Sequence, residues 1–174
     1  MEIPVLETKR LLLRAFALKD FEAYAAYRSD ESVMRWTGGG KPLAREEAWL
    51  KFLQHPGHWA MMGYGFWAVE EKATGTMIGE VGFCDLKRDY DPKVNDVPEI
   101  GWVLAPAAQG KGYATEAAQE CLRWGRRHFG PIRIIAAVNV ENLASIRVAE
   151  KCGFKECLRE EFHGRSAVFL DRVL

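Results

Sequence analysis

The stretch 107-AAQGKGYATEAA-118 places two glycines around a lysine, directly before a run of helix-favouring residues. Glycine readily adopts the left-handed backbone conformations that turn amide groups outward. The first turn of a helix has N–H groups without internal partners and carries the positive end of the helix dipole. Gly110 and Gly112 therefore predict an anion site, typically one for phosphate. The alternative is an ordinary tight turn, in which Lys111 is a solvated lysine rather than a charge that assists binding.

Two well-known phosphate-binding patterns do not fit the chain. The Walker loop needs G-x-x-x-x-G-K-[ST], but GGGKP at 38–42 has a proline where the metal-binding hydroxyl belongs. The dinucleotide pattern G-x-G-x-x-G needs a third glycine where this chain has Thr115, and the next strand ends in AAV without an acidic residue for a ribose. A nucleotide-dependent enzyme is therefore disfavoured, and protection against heat by NAD or ATP would reveal one.

The composition limits the class of protein. The 174 residues suit a single domain, 1–174, with a sizeable core. Lys plus Arg and Asp plus Glu both number 24, and this balance disfavours a nucleic-acid partner, which normally needs a basic excess. The start has no apolar segment after a basic one, and the richest apolar stretch, 59–69, is far shorter than the roughly 20 residues of a membrane helix. We therefore expect a soluble, cytoplasmic protein.

The cysteines and histidines do not form a metal pattern. The four cysteines, at 84, 121, 152 and 157, include no C-x-x-C pair, and HPGH at 55–58 lacks a partner pair at suitable spacing. We therefore expect no metal, reduced cysteines in the core and a solvated loop at 55–58. Cys152 as a covalent nucleophile is a weak alternative, because no histidine lies beside it in a recognisable pattern.

The hydrophobic periods predict a mixed α/β (α+β) sheet. The predicted strands are 8–16, a hairpin over 64–86 that turns at 73–75, 98–106, 132–138, 155–164 and 166–174, and the predicted helices are 19–30, 42–55, 113–129 and 141–154. Strand 98–106, helix 113–129 and strand 132–138 form a βαβ unit, so these two strands should be parallel. Gly153 should end the last helix in the left-handed conformation.

Within the glycine loop, Gln109, Gly112 and Ala114 form the pattern Q-x-x-G-x-A. It resembles the acyl-CoA loop of the GNAT superfamily of N-acetyltransferases, whose pattern is [QR]-x-x-G-x-[GA]. Its setting also matches, because it follows EIGWVL, opens an amphipathic helix and precedes NVENLASIRVAEKCGF by about 30 residues. The opening ETKRLLLR at 7–14 is similar to the first strand of the ribosomal-protein N-terminal (alanine/serine) acetyltransferase branch. The resemblance covers essentially the whole chain.

The resemblance implies both a fold and a reaction. The fold is a mostly antiparallel central sheet of about seven strands flanked by helices, in which the strand before the loop splays from its parallel neighbour. The reaction is acetyl-CoA-dependent transfer of an acetyl group to a primary amine, on a protein N-terminus or a small molecule, directly within a ternary complex. A homodimer is a further option, since relatives often pair through edge strands. The alternative is a non-catalytic module that binds or senses acyl-CoA.

The resemblance also assigns residues to the coenzyme. The backbone of Trp102, Val103 and Leu104 would pair with the pantetheine arm, and the Val103 amide would polarise the thioester carbonyl. The residues that would cradle the pyrophosphate are Gln109, Gly110, Lys111, Gly112, Tyr113 and Ala114. Asn142 would bond the pantetheine arm, and Ser145 would lie near the sulfur as the general acid. The alternatives are a helix N-cap for Asn142 and an inert hydroxyl for Ser145.

Two carboxylates are candidates for the base that deprotonates the amine. Glu99 lies on the strand before the loop, where relatives often have a carboxylate, and is ranked first. Glu161, in REEF near the end of the chain, matches a glutamate of the same branch. For each, the alternative is a surface carboxylate. Substrate specificity is expected from the loop that starts at Trp36 (36–41), from 55–65, where Trp59, Met61, Met62 and Tyr64 either wall a pocket or belong to the core, and from the polar loop 87–97.

Overall fold

One mixed β-sheet organises the molecule. The computed structural model describes residues 2–37, 39–88, 94, 96–162 and 164–174, with Phe162 described by its backbone only. In this part of the chain the sheet has eight strands in the spatial order β1-β2-β3-β4-β5-β6-β8-β7. The strands are β1 (Leu6–Glu7), β2 (Leu11–Arg14), β3 (Phe66–Glu71), β4 (Thr76–Cys84), β5 (Glu99–Leu104), β6 (Arg133–Asn139), β7 (Lys155–Phe162) and β8 (Arg165–Val173), and the helices are α1 (Phe21–Arg28), α2 (Glu31–Met34), α3 (Arg45–Met62), α4 (Tyr113–Phe129) and α5 (Leu143–Lys151).

Strands β5 and β6 form a parallel pair that is joined at one end. Glu99 lies in register with Ile135, and the Ile135 N–H donates to the Pro98 carbonyl at 3.1 Å. Although β6 continues to Asn139, no further register pair joins it to β5 in the described residues. The other strand pairs are antiparallel. The predicted mixed sheet with a splayed parallel pair is therefore confirmed, and a V-shaped gap opens between the last residues of β5 and β6.

The two faces of the sheet are covered differently. Helices α4 and α5 pack on the face that carries Ile100 and Leu104, which we call the α4 face. On the opposite face, the α1 face, helices α1 and α3 cover strands β2 to β4 around Ala68. Further along the α1 face, Val94 packs on Ile135 and Phe169. The gap between β5 and β6 therefore connects two separate environments, one on each face.

Helix α4 begins and ends at the residues that the sequence predicts. Its N-cap is Gly112, and its last turn carries Arg126, Arg127 and His128, which are favourable at the negative end of the helix dipole. Its apolar stripe, including Ala117 and Cys121, is buried against the sheet. Gly153 follows α5 with φ 82°, so the predicted left-handed end is also confirmed. None of the described helices combines the length and apolar composition needed to span a bilayer.

Helix α3 is longer than the sequence predicts, because HPGH is helical rather than a loop. The helix continues through Pro56 and ends at Gly63, which has φ 75°. Trp59 explains the continuation: it is 2% exposed, its indole N–H donates to the Phe66 carbonyl at 2.9 Å, and it packs edge-on against Trp67. Trp59 is therefore a core residue and not a pocket wall. Met61, by contrast, is 85% exposed.

The first predicted strand is also interrupted. The predicted strand 8–16 contains only β2, because Thr8–Arg10 forms a turn and the two-residue β1 precedes that turn; the sheet therefore has eight strands rather than about seven. The turn forms because the Thr8 hydroxyl accepts from the Leu11 N–H at 2.9 Å, while the Thr8 N–H donates to the Leu11 carbonyl. Side chains that commonly bond to nearby backbone groups favour turns over continuous strand.

A buried polar cluster lies on the α1 face at β4. Glu80 is 2% exposed and accepts from the Tyr27 hydroxyl at 3.0 Å and from the Arg28 guanidinium. His55 of α3 has its Nε2 at 3.5 Å from the same carboxylate and stacks on Phe16 with ring centroids 4.1 Å apart. Buried charges are stable only when they are paired and hydrogen bonded. This cluster therefore ties α1 and α3 to the sheet.

The stability of the protein should depend on pH through His55. Burial lowers the pKa of His55 below its ordinary value, although the Glu80 carboxylate partly opposes this. The unfolded chain therefore binds the proton at a higher pH than the folded one, so stability is lost as the pH falls through the ordinary value near 6.5. We expect the Tm to fall more between about pH 7.5 and about pH 5.5 in the wild type than in His55→Phe, which keeps the ring stack. Equal falls in the two proteins would exclude His55 as the cause.

Candidate active site

The glycine loop presents a row of backbone donors. Gly110 and Gly112 have φ 75° and 80°, values that favour glycine, and Gly112 caps helix α4. The first helical N–H to find a backbone acceptor is that of Glu116, which donates to the Gly112 carbonyl at 3.1 Å. In the described residues, no backbone carbonyl or side chain accepts from the N–H groups of 110–115. This geometry is that of an anion site at a helix N-terminus.

Gln109 joins this loop to the end of β5. Its side-chain amide donates from Nε2 to the Leu104 carbonyl at 3.0 Å. The contact ties the loop to the end of β5, the edge of the sheet at which β5 and β6 are no longer paired. Lys111 and Ala114 follow in the same loop and first helical turn, Lys111 exposed and Ala114 half-buried. Tyr113 is buried and begins the helix.

Successive peptide groups of β5 point alternately towards β4 and towards β6. At its start the Pro98 carbonyl accepts from Ile135 of β6, and past its end the Ala105 N–H donates to the Ile78 carbonyl of β4 at 2.9 Å. Because the direction of successive peptides alternates along a strand, the N–H and C=O groups of Trp102 and Leu104 face the gap. Those of Val103 face Glu80 on β4.

This register corrects the role predicted for one amide. The Val103 N–H is directed to β4 and is not available to polarise a thioester carbonyl in the gap. The N–H of Trp102 is directed into the gap instead. The side chain of Val103 packs in the α1–α3 core, whereas Trp102 packs against the α4 core. An extended chain lying in the gap would therefore meet the backbone of Trp102 and Leu104.

Helix α5 begins on the other side of the gap. Its N-cap is Asn142, whose Oδ1 accepts from the Ser145 N–H at 3.1 Å, so the capping alternative for Asn142 is observed. The cap occupies the side-chain oxygen and leaves the amide N–H₂ group without a partner in the described residues. Ser145 is half-buried in the first turn. Since β5 and β6 are parallel, the starts of α4 and α5 lie at the same edge of the sheet.

Glu99 lies where β5 and β6 meet. Both of its carboxylate oxygens accept from Arg88 Nη1, at 2.9 and 2.8 Å, and its side chain is 13% exposed. It lines a cavity of about 260 Å³ together with Cys84 and Ile135. From Glu99 to Trp102 is three residues, or about 10 Å along the strand. Glu99 therefore stands at the closed end of the gap and is already ion paired.

The adjacent glutamates Glu160 and Glu161 of β7 lie on opposite faces. Glu160 is in register with Ala167 on the α1 face, and Glu161 is in register with Ser166, next to the buried Val168 of the α4 face. Glu160 is half-buried and Glu161 is exposed. In the described residues Glu160 has no hydrogen-bond or ion-pair partner. Glu160 was not among the predicted residues, and alternation from the apolar Leu158 is the signal that could have identified it.

The row that contains Glu160 lies at the height of the open gap. Asn139 of β6 pairs with Ala167, and Ala167 pairs with Glu160. On β6, Asn139 is four residues beyond Ile135, the residue that pairs with Glu99 of β5. On β5, Trp102 is three residues beyond Glu99. Asn139 and Trp102 therefore lie at nearly the same distance from the joined end of the two strands. Glu160 therefore lies on the α1 face at the level of the open gap, and its carboxylate has no partner in the described residues.

The loop after α2 closes over this side of the sheet. Arg165, at the start of β8, donates from Nη2 to the Arg35 carbonyl and lies against Gly40. The predicted specificity loop 36–41 therefore touches the β7–β8 hairpin, and Trp36 is half-buried there. Of the other predicted specificity loop, 87–97, residues 89–93 and 95 lie outside the described residues. Lys87 and Asp96 in that loop have positive φ values of 47° and 58°.

Burial disfavours the cysteine alternative for a nucleophile. Cys152 is buried, and burial raises its pKa to about 11, which disfavours the thiolate that a nucleophile needs. The cysteines are free; Cys84, Cys121 and Cys152 are buried as predicted, whereas Cys157 is exposed. The described residues contain no group of three or more His, Cys, Asp or Glu side chains placed to hold a metal ion.

Comparison with known proteins identifies the family. Residues 10–155 match the model of the acetyltransferase (GNAT) domain. The uncharacterized N-acetyltransferase YnaD of Bacillus subtilis (strain 168) is 35% identical over 157 residues, which are 87% of this chain and 86% of YnaD. The crystal structure of a GNAT-family acetyltransferase from Bacillus anthracis has a TM-score of 0.80 at 30% identity and covers 98% of each chain.

A more distant structure shares the fold alone. RimL, a ribosomal L7/L12 alpha-N-protein acetyltransferase solved in complex with coenzyme A, has a TM-score of 0.79 at 18% identity, with 98% of each chain covered. The splayed strands, the glycine loop that caps α4 and the matched family model agree with one another. This chain belongs to the GNAT family of acetyltransferases.

Proposed function

We propose that the protein transfers the acetyl group of acetyl-CoA to a primary amine, directly and within a ternary complex. The observation that carries the proposal is the row of unpartnered N–H groups at 110–115 above an open gap between parallel strands. The row suits a pyrophosphate and the gap suits an extended pantetheine arm. A family whose solved members include a coenzyme A complex supports this occupant.

In this proposal the chain holds the thioester by its backbone. The N–H and C=O groups of Trp102 and the N–H of Leu104 would pair with the pantetheine arm as a neighbouring strand does, while the Leu104 carbonyl accepts from Gln109. The Trp102 N–H would stabilise the oxyanion that develops when the amine attacks the thioester carbonyl, a role that preorganised donors fill effectively. The side-chain amide of Asn142 would bond the arm from the side of α5.

Glu160 is our first candidate for the base. It would accept a proton from the attacking amine as the C–N bond forms, directly or through water. Its α1-face position supports this role, because a coenzyme bound at the starts of α4 and α5 leaves the acceptor to approach from the other face. Glu99 and Glu161 remain candidates, but Glu99 would first have to exchange its guanidinium partner. Ser145 would protonate the sulfur as the C–S bond breaks.

The acceptor is proposed only as a class, a primary amine of a protein N-terminus or a small molecule. RimL, which shares the fold, acts on the amino terminus of a ribosomal protein. The walls that would select the acceptor here are the loop that starts at Trp36 (36–41), the β7–β8 hairpin and the loop near Arg88. We also propose a cytoplasmic location, where both coenzyme and acceptor would be available.

Two measurements test the proposal in sequence. Calorimetric titration of acetyl-CoA should show binding to the wild-type protein. A panel of amines, including peptide N-termini, lysine and polyamines, is then mixed with the enzyme and acetyl-CoA, and free thiol is measured. Thiol release that depends on an amine supports the transferase. Binding without release by any amine would favour a non-catalytic acyl-CoA sensor, and no binding at saturating acetyl-CoA would overturn the proposal.

A further inference from the structure

The turn Thr8–Arg10, part of the opening motif ETKRLLLR, contacts the glycine loop although more than 100 residues separate them in sequence. Glu116, in the first turn of α4, accepts from the Thr8 hydroxyl at 2.7 Å, from the Arg10 backbone N–H at 2.9 Å and from Arg10 Nε at 2.7 Å. Arg10 Nη1 then donates to the Lys111 carbonyl at 3.0 Å. The turn between β1 and β2 is thus fastened to the loop by side-chain contacts.

These contacts hold both charged side chains in fixed positions. The guanidinium of Arg10 lies 4.4 Å from the centre of the Tyr113 ring, and the Tyr113 hydroxyl donates to Glu71 at 2.5 Å. Burial acts to raise the pKa of Glu116, but the Thr8 hydroxyl and the Arg10 groups outweigh it and lower the pKa. Glu116 therefore remains ionised, and its carboxylate keeps the guanidinium oriented.

The contact with the Lys111 carbonyl determines the direction of an amide. In a planar trans peptide, C=O and N–H point in opposite directions. Because Arg10 binds the Lys111 carbonyl on one side, the N–H of Gly112 in the same peptide must point to the other. Gly112 has few steric restraints, so without this contact the peptide could flip and turn a carbonyl oxygen toward the anion.

We infer that Arg10, held by Glu116 and Thr8, is a positioning residue that keeps the Lys111–Gly112 peptide in the orientation that binds the coenzyme pyrophosphate. The inference rests on the proposed binding of acetyl-CoA at the loop. It gives a role to the motif ETKRLLLR that its resemblance alone does not explain. It also explains why a carboxylate stands beside a site for anions, where its own charge would otherwise be unfavourable.

The test uses Glu116→Gln and measures the Kd of coenzyme A by calorimetry. If charge alone matters, removing a negative charge beside the loop should tighten the binding of coenzyme A. Binding should also tighten if Arg10 contacts the phosphate directly, because the substitution would release its guanidinium from Glu116. Positioning predicts the opposite sign, a Kd about tenfold weaker, because a neutral amide holds the guanidinium less firmly. Arg10→Met should weaken binding similarly, and the double variant should be little worse than either, since the two residues act through one contact.

Glu120→Gln is the matched control. Glu120 is one turn further along α4 and pairs with the exposed Arg123, while its own side chain is half-buried, as that of Glu116 is, so the same charge is removed from the same helix without touching the loop. The Kd of Glu120→Gln for coenzyme A should stay within about twofold of the wild type, because charges separated by about a Debye length interact weakly and Glu120 contacts no residue of the loop. Pantetheine lacks the pyrophosphate, so it should compete with coenzyme A equally well in Glu116→Gln and in the wild type. If the substitution loosened the whole site instead, pantetheine would bind less tightly to the variant.

The outcomes separate this inference from the proposed function. If wild-type protein does not bind coenzyme A, the proposed function fails first. If the wild type binds and Glu116→Gln binds equally well or more tightly, the proposed function stands and the positioning role is wrong. The positioning role would also be wrong if Glu116→Gln bound pantetheine less tightly and had a lower Tm, because the substitution would then weaken binding by destabilising the fold.

Discussion

Gly112→Glu is expected to weaken acetyl-CoA binding by at least about 100-fold, because two charges of the same sign about 4 Å apart repel by roughly 4 kcal/mol near a protein surface. The Cβ of the new side chain would lie 3.6 Å from Arg10 Nη2 at the cap of α4, next to N–H groups that have no acceptor in the described residues. The new carboxylate would also attract the Arg10 guanidinium away from the Lys111 carbonyl. The measurement is calorimetric titration of acetyl-CoA into the variant and the wild type.

Gly63→Glu is the control for backbone strain. Gly63 ends α3 with φ 75° and ψ 4°, nearly the dihedral angles of Gly112, which are 80° and 4°. A glutamate at either position therefore meets a similar strain, but only the one at 112 lies in the proposed phosphate loop. Gly63→Glu should bind acetyl-CoA as the wild type does. Equal weakening in both variants would mean that strain, not charge at the loop, causes the loss.

Glu160→Gln is expected to lower kcat by about 100-fold or more once an amine acceptor is known, the usual effect of removing a general base. The KM for acetyl-CoA should change little, because Glu160 lies on the α1 face and the coenzyme is proposed to enter from the α4 face. The substitution keeps size and shape and removes only the ability to accept a proton. Steady-state kinetics at saturating acceptor provides the measurement.

Glu161→Gln is the matched control for the base. The two residues are adjacent in β7, but their side chains lie on opposite faces of the sheet. Glu161→Gln should retain most of the wild-type kcat. A large loss in Glu161→Gln with little loss in Glu160→Gln would restore the base predicted from the sequence, and a large loss only in Glu99→Gln would transfer the role to the closed end of the gap.

The local features of the fold could be predicted well. Helix α4 spans Tyr113–Phe129 as predicted, because a glycine cap, an apolar stripe and a basic last turn all lie within the segment itself. The βαβ unit followed from the order of its elements and the short connections between them. Helix α3 could not be bounded in the same way, since its extension past Pro56 depends on Trp59 packing against a strand that is distant in the sequence.

The candidate site was predictable in its type and only partly in its residues. The loop pattern of Gln109, Gly112 and Ala114 indicates the coenzyme because it encodes a backbone conformation, and backbone conformation is local. The choice between Glu160 and Glu161 depends on which face each occupies, and that is fixed by pairing with β8. The choice between the Val103 and Trp102 amides likewise depends on pairing with β4.

The sequence by itself determined the family, the mixed sheet and the anion loop, because periodicity, caps and glycine positions act over a few neighbouring residues. Only the tertiary structure decided which amides face the gap, which glutamate stands opposite it, and that Arg10 and Glu116 meet beside the loop. These contacts join residues that are distant in the sequence, 106 positions apart for Arg10 and Glu116. They arise from strand register and helix packing, and no local pattern encodes them.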